Sequence, residues 1–328
     1  MTWHLPVAHR RFDRMPASVW IRCLQLLPYL ERLGIACTVN DETAPADVAV
    51  FVRRQDEVSR RLAEQLRARG VRVALDLCVN YYDETGLLPG GYGVTAPQVS
   101  ECRAMTALAD VVLAASAFIA ERARAHHARV ELLPDSVDRA HFRFTKRHES
   151  RPRWWRSARP PVAVWCGTAV KAPELEPWLP LLTKRRIPLL VISERRPRLS
   201  ARFRFIRWRH ATIPRNLLRG DFSIAPRELE TPYNRGHSAF KIGMFMVEGV
   251  PAVASPVPSY REVLVPEAGG LICDTPAEWE EALDRIVAEP ALLARWSPGA
   301  REAMAPYLTE AIARDYARLF TALAAGSA

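Results

Sequence analysis

Lys241 follows a cluster of turn-forming residues and lies close to a predicted helix start. It stands three residues after Ser238, and the residues before that serine, NRGH over 234–237, favour a turn. Serine is a frequent helix N-cap, and the free amides at a helix start attract anions. The sequence therefore predicts a helix from Ser238 to Glu248, with His237, Ser238 and Lys241 around a phosphate group.

A second polar group follows a predicted buried strand. The segment DLCVNYYD, over 76–83, carries two carboxylates, an amide and two phenols in eight residues. These groups suit hydrogen bonding to a sugar or another acceptor, and an Asp here can be the general base of an inverting reaction. The candidate catalytic residues are thus Asp76 and Asp83, with Asn80 and Tyr81 on the acceptor side. The alternative is a loop whose Asp side chains cap the next helix.

The stretch SAFKIGMFMVEGVPAVAS, from Ser238 to Ser255, resembles the donor-binding helix of GT-B glycosyltransferases, especially those of glycosyltransferase family 4. Many members carry a pattern close to S-P-N-K-x-x-E-Y-M-A-x-G-x-P-V-V-A-S. The matching residues are Ser238, Lys241, Met246, Gly249, Pro251, Val253, Ala254 and Ser255. The resemblance implies that Lys241 and the helix start face the diphosphate of a nucleotide-sugar donor.

One position departs from that pattern. The family's Glu, which usually holds the donor ribose or sugar hydroxyls, falls at Met244, and a thioether cannot replace those hydrogen bonds. Glu248 is the nearest carboxylate in the segment, one helical turn further from the helix start, and is retained as a donor-side candidate.

The second predicted domain opens with a similar resemblance. The segment VWCGTAVK, over 164–171, is similar to the family's first strand of that domain. This implies that Gly167 lets the backbone approach the phosphates and that Lys171 binds them. The Arg that often follows the glycine is Thr168 here, which implies a weaker phosphate clamp. The region 205–226 is similar to that around the nucleobase pocket, where Trp208 is either a stacking residue or a core residue.

Three stretches of the first half also resemble the family. The segments 110–122 and 130–138 are similar to its A-D-x-V-x-x-S strand and its V-x-x-I-P-N-G-V-D strand end, so that Ser116 stands just past a strand on the acceptor side. The segment 18–22 resembles an S-x-R-I-R helix start. Arg22 is thereby a candidate for binding acceptor or phosphate, the alternative being an arginine on a solvated helix face.

Both halves of the chain alternate short apolar runs with helix-length segments, which predicts parallel sheets covered on both faces. The predicted strands are 35–39, 46–52, 71–77, 110–115, 130–133, 161–166, 188–192, 203–208, 222–225, 251–255 and 270–273. Longer helices are predicted at 17–33 and 174–185, among others. The implied fold class is α/β, a GT-B arrangement of two doubly wound Rossmann-like domains with the ligand site in a cleft between them.

The predicted domains are an N-terminal acceptor-side domain over 1–140, a linker over 141–160 and a nucleotide-sugar-binding domain over 161–305. A C-terminal helix over 306–328 is expected to pack back on the first domain. The linker is expected because this stretch is polar, contains proline and lacks apolar periodicity.

Composition narrows the possible partners. The chain has 328 residues and a formal charge of +10, and the region Lys184–Arg219 holds 12 Lys and Arg residues against Glu194 alone. Such a basic region can bind a nucleotide diphosphate, an anionic membrane, an anionic glycan or a nucleic acid. The alternative is a solvated arginine-rich surface. No helix-turn-helix or aromatic RNA motif supports nucleic acid. A peripheral contact with an anionic membrane is left open.

Other classes of protein find little support. No apolar run of about 20 residues or signal-peptide core is present. The six cysteines are scattered, which favours reduced thiols in a cytoplasm. No CxxC or HExxH spacing indicates a metal, and no cofactor is expected. The function expected is a metal-independent Leloir glycosyltransferase acting on a cytoplasmic glycan, lipid-linked glycan, protein or small molecule. The alternative, prompted by Met244, is a non-catalytic nucleotide- or glycan-binding or scaffold protein of the same fold.

Overall fold

The structure is a computed structural model that describes residues 1–6, 17–88, 91–146, 160–289 and 291–326. The chain forms two compact units and passes between them four times. The first unit comprises Met1–Asp138, Glu230–Ser238 and Pro306–Ala328, and the second comprises Arg139–Leu229 and Ala239–Ala305. Most of the predicted linker, residues 147–159, lies outside the described part of the chain.

The first unit is built on a six-stranded sheet in which every pairing is parallel. The strands of this unit are β1 (Thr2–His4), β2 (Thr38–Val39), β3 (Val48–Val52), β4 (Arg72–Leu77), β5 (Gly86–Leu88), β6 (Tyr92–Val94), β7 (Val111–Ala114) and β8 (Val130–Leu132). The sheet has the order β2-β1-β3-β4-β7-β8, while β5 and β6 form an antiparallel hairpin. The VAVFV run of β3 is buried along its whole length, as expected for a strand covered on both faces.

Some helices of the first unit begin at a residue whose side chain caps them. The helices of this unit are Ala17–Val19, Trp20–Leu24 (a π-helix), Leu27–Arg32, Glu57–Ala68, Ala96–Leu108, Ala117–Arg124, Pro232–Arg235 and Thr309–Ala324. Asp56, for example, accepts a hydrogen bond from the Ser59 amide at the start of Glu57–Ala68. The prediction of one continuous helix over 17–33 was wrong. Pro28 lacks an amide hydrogen and starts a new helix at its second position instead of continuing the π-helical turn.

The helix Thr309–Ala324 belongs to the core of the first unit. Its buried side chains Ile312, Tyr316 and Phe320 pack with Trp3 of β1 in one apolar cluster. The rings of Trp3 and Tyr316 are 6.0 Å apart. This helix therefore packs against the strand that residues 2–4 form at the other end of the sequence.

The second unit also has a six-stranded, all-parallel sheet. Its strands are β9 (Ala163–Cys166), β10 (Leu189–Ser193), β11 (Arg204–Arg207), β12 (Phe222–Ala225), β13 (Ala252–Ala254) and β14 (Gly270–Ile272), in the order β11-β10-β9-β12-β13-β14. Every strand predicted from the apolar runs is present, within a few residues of its expected bounds. Strand β1 and the hairpin β5–β6 were not predicted.

The remaining helices pack around this second sheet. They are Ala169–Trp178 (a 3-10 helix), Leu179–Lys184, His210–Thr212 (3-10), Ile213–Leu217, Phe240–Met246, Pro258–Val263, Pro276–Ala288, Leu292–Ala303 and Ala305–Tyr307 (3-10), the last of which runs into the first unit. The predicted helix over 174–185 is α-helical only from Leu179, because Pro173 and Pro177 cannot donate α-helical hydrogen bonds. In the part of the chain that the structure describes, no helix is long and apolar enough to cross a membrane.

Candidate functional site

Strands β9 and β12 bring two distant segments to one edge of the second sheet. They are parallel neighbours, with Ala163 opposite Phe222. The turn that leads to Lys171 follows β9, and Arg227 follows β12 after a single proline. Ligands of open α/β sheets bind beyond the carboxyl ends of the strands. Lys171 and Arg227 therefore occupy the edge at which a ligand of this unit is expected.

Three cationic side chains converge at this edge: Lys171, Lys241 and Arg227. Nζ of Lys241, on the first turn of Phe240–Met246, lies 4.8 Å from the ring centre of Trp165, a cation–π distance. Each of the three cations repels the other two electrostatically. Glu174 attracts the lysines, and its Oε1 and Oε2 accept from Nη1 of Arg227 at 2.8 and 3.0 Å.

Burial and mutual repulsion both act on the two lysines of this cluster. Burial first, and then the positive charges of Arg227 and Lys241, lower the pKa of Lys171 to about 7, while Glu174 opposes them. Burial, followed by repulsion from Arg227, lowers the pKa of Lys241 to about 7 as well. Cations held close together create a favourable position for a polyvalent anion.

Gly167 lies beside the cluster but does not present its amide to it. The Gly167 amide donates to the carbonyl of Ile192 at 3.1 Å, so it belongs to the sheet. A Cβ at this position would lie 2.8 Å from the Trp165 ring, and this packing explains the glycine. The amide of Gly167 itself is therefore occupied, and the approach of the backbone around Gly167 to a phosphate stays a prediction. Thr168, next in the chain, is exposed at the N-cap of Ala169–Trp178, and its side chain makes no capping hydrogen bond.

Ser238 and His237 also differ from their predicted roles. The helix begins at Phe240 with Ala239 as its N-cap, and it ends at Met246. The hydroxyl of Ser238 donates to Oδ2 of Asp135 in the first unit, which removes it from the helix start. Nδ1 of His237 lies 2.8 Å from the carbonyl of Tyr233. Both side chains are thus held by hydrogen bonds within the first unit.

Met244 stands at the position of the family's donor-binding Glu, and Glu248 follows it by four residues. Met244 is buried one turn after Lys241. Glu248 is completely buried, and its Oε1 accepts from the Phe144 amide at 3.3 Å. Burial raises the pKa of Glu248 to about 8, although that amide and Arg139 oppose the rise. The carboxyl group thus faces the segment that follows Arg139, and it is not among the groups around the three cations.

Trp208 lies elsewhere on the same sheet edge. It follows β11, its amide donates to the Ser193 carbonyl at 2.8 Å, and its half-buried ring stands edge-on to His210 at 6.3 Å. Since β10 separates β11 from β9, Trp208 is two strands away from the strand that precedes Lys171.

In the first unit, Arg22 and Asp76 form a buried ion pair. Nε of Arg22 lies 2.8 Å from Oδ1 of Asp76, and both side chains are at most 1% exposed. Tyr316 donates to Oδ2 of Asp76 at 3.0 Å, and Nη1 of Arg22 donates to the Leu133 carbonyl at 2.6 Å and to Oδ1 of Asp135 at 3.2 Å. Every charged atom of this group has a partner inside the protein, so the predicted ligand-facing roles of Arg22 and Asp76 do not fit the structure.

Asp83 is the predicted catalytic carboxylate that stays accessible. Its side chain is 36% exposed, and its Oδ2 accepts from Nε of Arg122 at 2.6 Å and from Nδ2 of Asn80 at 2.8 Å. Tyr81 is buried, and its hydroxyl accepts from Nε of Arg53 at 3.2 Å. The structure thus brings Asn80 and Asp83 together, while Asp76 of the same segment points into the core.

Ser116 acts as a helix cap. Its Oγ accepts from the Ile119 amide at 3.3 Å and donates to the Gly236 carbonyl at 3.1 Å. The residue stands just past β7, as predicted, but its hydroxyl is committed to these two backbone groups.

Sequence reasoning missed Arg227, Glu174 and Asp135. Arg227 directly follows the strand and proline of the 205–226 region, so its position past a strand end was a usable signal. Glu174 lies in a proline-containing segment that was expected to be an ordinary helix. Asp135 stands where the resembling pattern has Asn, and nothing in the sequence indicates its contact with Ser238.

Comparison by sequence finds no matching family model and no matching curated protein. Comparison of structures finds sucrose-phosphate synthase from Thermosynechococcus elongatus, with a TM-score of 0.73 and 15% identity over 99% of both chains. HepE of Anabaena in complex with UDP-glucose has a TM-score of 0.63 and 13% identity over 98% of this chain and 99% of its own. The catalytic domain of starch synthase IV from Arabidopsis thaliana, bound to ADP and acarbose, has a TM-score of 0.59 and 11% identity over 85% and 73%.

These structures are GT-B glycosyltransferases, and the match extends over nearly the whole chain in the first two. The predicted α/β fold of the GT-B class is therefore confirmed. At such low sequence identity the likeness establishes the fold, and the chemistry has to be argued from the side chains.

Proposed function

We propose that this protein transfers a sugar from a nucleoside diphosphate sugar to a hydroxylated acceptor. The observation that carries the proposal is the cluster of Lys171, Lys241 and Arg227 at the carboxyl ends of β9 and β12, with Glu174 as its counter-charge. A diphosphate has the charge and the several acceptor oxygens that such a cluster can bind. The neighbouring structures of HepE and starch synthase IV hold UDP-glucose and ADP, respectively, which agrees with a nucleotide ligand for this fold.

The cluster would act on the leaving group. When the bond between the sugar and the diphosphate breaks, negative charge develops on the diphosphate oxygens. Lys171 and Lys241 provide positive charge in a half-buried setting, where electrostatic stabilisation is stronger than in water. Because these side chains can supply the charge that a divalent cation provides in other transferases, we expect transfer to continue in the presence of EDTA.

On the first unit, Asp83 is the carboxylate proposed to orient the acceptor. It is accessible, and Arg122 and Asn80 hold its position through hydrogen bonds to one oxygen. No described residue donates to the other oxygen, so it can accept from a sugar hydroxyl. Asp76 has no such role in the proposal, because it is buried against Arg22.

The proposal is tested by nucleotide binding and by turnover. UDP, ADP and GDP are titrated calorimetrically into the wild type, Lys241→Ala and the control variant Lys184→Ala. Lys184 is an exposed lysine that pairs with Glu280. One nucleotide should bind the wild type and the Lys184 variant equally, and Lys241→Ala should weaken binding roughly 10- to 100-fold, the value of a charge-assisted hydrogen bond. Hydrolysis of the corresponding sugar nucleotide should be slow but measurable.

Two outcomes would redirect the assignment. If none of the three nucleotides binds the wild type, the protein is not a glycosyltransferase of this kind. If a nucleotide binds through Lys241 but no sugar donor is hydrolysed or transferred, the buried Met244 in place of a donor-binding Glu identifies a binding protein without turnover.

A further inference from the structure

Arg53 stands at the carboxyl end of β3, at the edge of the first sheet where ligands of open α/β folds bind. Its amide donates to the carbonyl of Asp76 on the neighbouring strand β4 at 3.3 Å. Its φ of +52° lies in the left-handed region, which a residue with a long side chain adopts at a cost in free energy. Because such strain is concentrated at ligand-binding sites, the backbone of Arg53 agrees with a ligand at this edge.

Two hydroxyl groups hold the guanidinium of Arg53. Nε donates to the hydroxyl of the buried Tyr81 at 3.2 Å, and Nη1 donates to Oγ of the half-buried Ser18 at 3.2 Å. The Ser18 hydroxyl accepts this hydrogen bond and keeps its own hydrogen, which no described residue accepts. Nη2 of Arg53 donates to no described residue and is not enclosed by the protein, so it can reach a ligand. The site thus offers two donors, Nη2 of Arg53 and the hydroxyl of Ser18.

The charge of Arg53 has no carboxylate partner in the part of the chain that the structure describes. Arg22 of the same unit differs in this respect, because it lies 2.8 Å from Asp76 and 3.2 Å from Asp135. A guanidinium keeps its proton under all conditions that a protein tolerates. Arg53 is therefore a permanent cation that the described residues do not neutralise.

The titratable groups that act most strongly on the charge of Arg53 are neutral near pH 7. They are Tyr81 and Cys78. Burial raises the pKa of the Tyr81 hydroxyl, and burial also raises the pKa of the Cys78 thiol to about 11. A half-buried cation among neutral groups attracts an anion more strongly than a cation in bulk water, because less water screens it. An oxyanion, whose oxygens accept hydrogen bonds, matches both the cation and the two donors.

We propose that Arg53 and Ser18 bind an oxyanion group of the acceptor, which is then a hydroxylated compound that carries a phosphate ester or a carboxylate. The inference rests on the proposed function and names the class of its acceptor. The hydroxyl that reacts belongs to the same molecule. Asp83, the carboxylate that orients this hydroxyl, follows β4, which is the neighbour of β3 in the sheet. Recognition of the oxyanion discriminates against uncharged sugars, because they leave the charge of Arg53 unmatched.

The test titrates oxyanions calorimetrically, with and without the nucleoside diphosphate that binds the wild type. The probes are glucose 6-phosphate, glucuronate and inorganic phosphate, with uncharged glucose for comparison. Added nucleotide and the variant Lys241→Ala both keep these anions from the phosphate cluster of the second unit. The other variants are Arg53→Gln, Ser18→Ala and the matched control Arg54→Gln, since Arg54 is the next residue and donates to Oγ of Ser59 at 2.9 Å. Thermal unfolding confirms that each variant is folded.

At least one of the three anions should bind the wild type, Arg54→Gln and Lys241→Ala with equal affinity. Arg53→Gln should weaken this binding roughly 10- to 100-fold, the value of a charge-assisted hydrogen bond, and Ser18→Ala should weaken it roughly 3- to 10-fold, the value of a neutral one. Both variants should bind the nucleotide as the wild type does, and glucose should not distinguish Arg53→Gln from the wild type. The tighter of glucose 6-phosphate and glucuronate identifies the group that is recognised as a phosphate ester or a carboxylate.

The outcomes separate this inference from the function. If no anion binds the wild type, or if Arg53→Gln binds the anions as tightly as the wild type, the oxyanion site is overturned and the donor site stands. Anion binding that is abolished by the nucleotide or by Lys241→Ala belongs to the donor site and overturns the inference as well. An anion that binds through Arg53, in a protein that binds none of the nucleotides, would support the oxyanion site and refute the proposed function.

Discussion

The guanidinium of Arg22 makes two hydrogen bonds to the carboxylate of Asp76, from Nε to Oδ1 at 2.8 Å and from Nη2 to Oδ2 at 3.2 Å. Both residues were expected to face a ligand, and each instead satisfies the other inside the first unit. A buried charge is tolerated when it is paired and its remaining hydrogen-bonding atoms are occupied. Tyr316 and the carbonyl of Leu133 complete that condition here.

Breaking this pair should strongly destabilise the first unit. Asp76→Asn leaves the guanidinium of Arg22 buried without its main counter-charge, and removing one partner of a buried pair costs about 3–5 kcal/mol. Urea unfolding measures the loss, and Glu64→Gln, which breaks an exposed pair with Arg60, is the control, expected to change stability by less than about 1 kcal/mol. A loss below about 1 kcal/mol for Asp76→Asn would contradict the structural role.

Apolar patterning predicted all strands longer than three residues, because buried parallel strands read as continuous apolar runs. Strand β1, with the sequence TWH, has no such run, and only its pairing with β2 and β3 defines it. The spacing of apolar residues also gave no sign of the helix break at Pro28. That break results from the missing amide hydrogen of proline.

Side-chain partners were harder to predict than strands. Lys171 and Lys241 were identified through the resemblance, but the Arg227–Glu174 contact joins residues 53 positions apart. It exists because β9 and β12 are neighbours, and strand order is not encoded in local sequence. For the same reason, polarity at a strand end could not distinguish Asp76, which is buried, from Asp83, which is accessible.

Glu248 should make stability depend on pH. Its pKa rises from 4.5 in the unfolded chain to about 8 in the fold because the group is buried, so the folded state holds more protons between these values. The contribution of Glu248 to stability is then fully present below about pH 4.5 and is lost as pH rises through about 8, by at most about 1.4 kcal/mol per unit.

The variant Glu248→Gln tests this sign. Its amide does not titrate, so its free energy of unfolding should decline less than that of the wild type between about pH 5 and pH 8. Urea unfolding at several pH values gives both slopes, and Glu64→Gln should keep the slope of the wild type. Parallel curves for wild type and Glu248→Gln would show that the carboxyl group is not protonated in the fold.

Gly249 combines a left-handed backbone with a crowded surrounding. Its φ is +80°, and an added Cβ would lie 2.4 Å from Nη1 of Arg301 and 2.6 Å from Oγ of Ser297. Gly34 has nearly the same φ of +82° with nothing within 4 Å of such a Cβ. The two glycines therefore separate backbone strain from steric overlap.

Substitution by alanine should reveal that difference. Gly34→Ala carries only the cost of the left-handed conformation, about 1–2 kcal/mol. Gly249→Ala should lose about 1 kcal/mol more, since Arg301 and Ser297 have to move. Equal losses of unfolding free energy for the two variants, measured by thermal or urea unfolding, would mean that Arg301 and Ser297 move aside at no cost.

The position of Tyr316 has a consequence for synthesis on the ribosome. Its hydroxyl completes the hydrogen bonding of Asp76, which precedes it by 240 residues, and its helix covers β1 and β3. At a translation rate of about 5–20 residues per second, this helix is synthesised on the order of ten seconds or more after Asp76. The first unit cannot complete its core before then. During that interval the second unit, whose residues are already made by Ala305, can fold first. The order of completion is then the reverse of the order of the sequence, and a nascent chain stalled before Pro306 would display the uncovered face of the first sheet to chaperones.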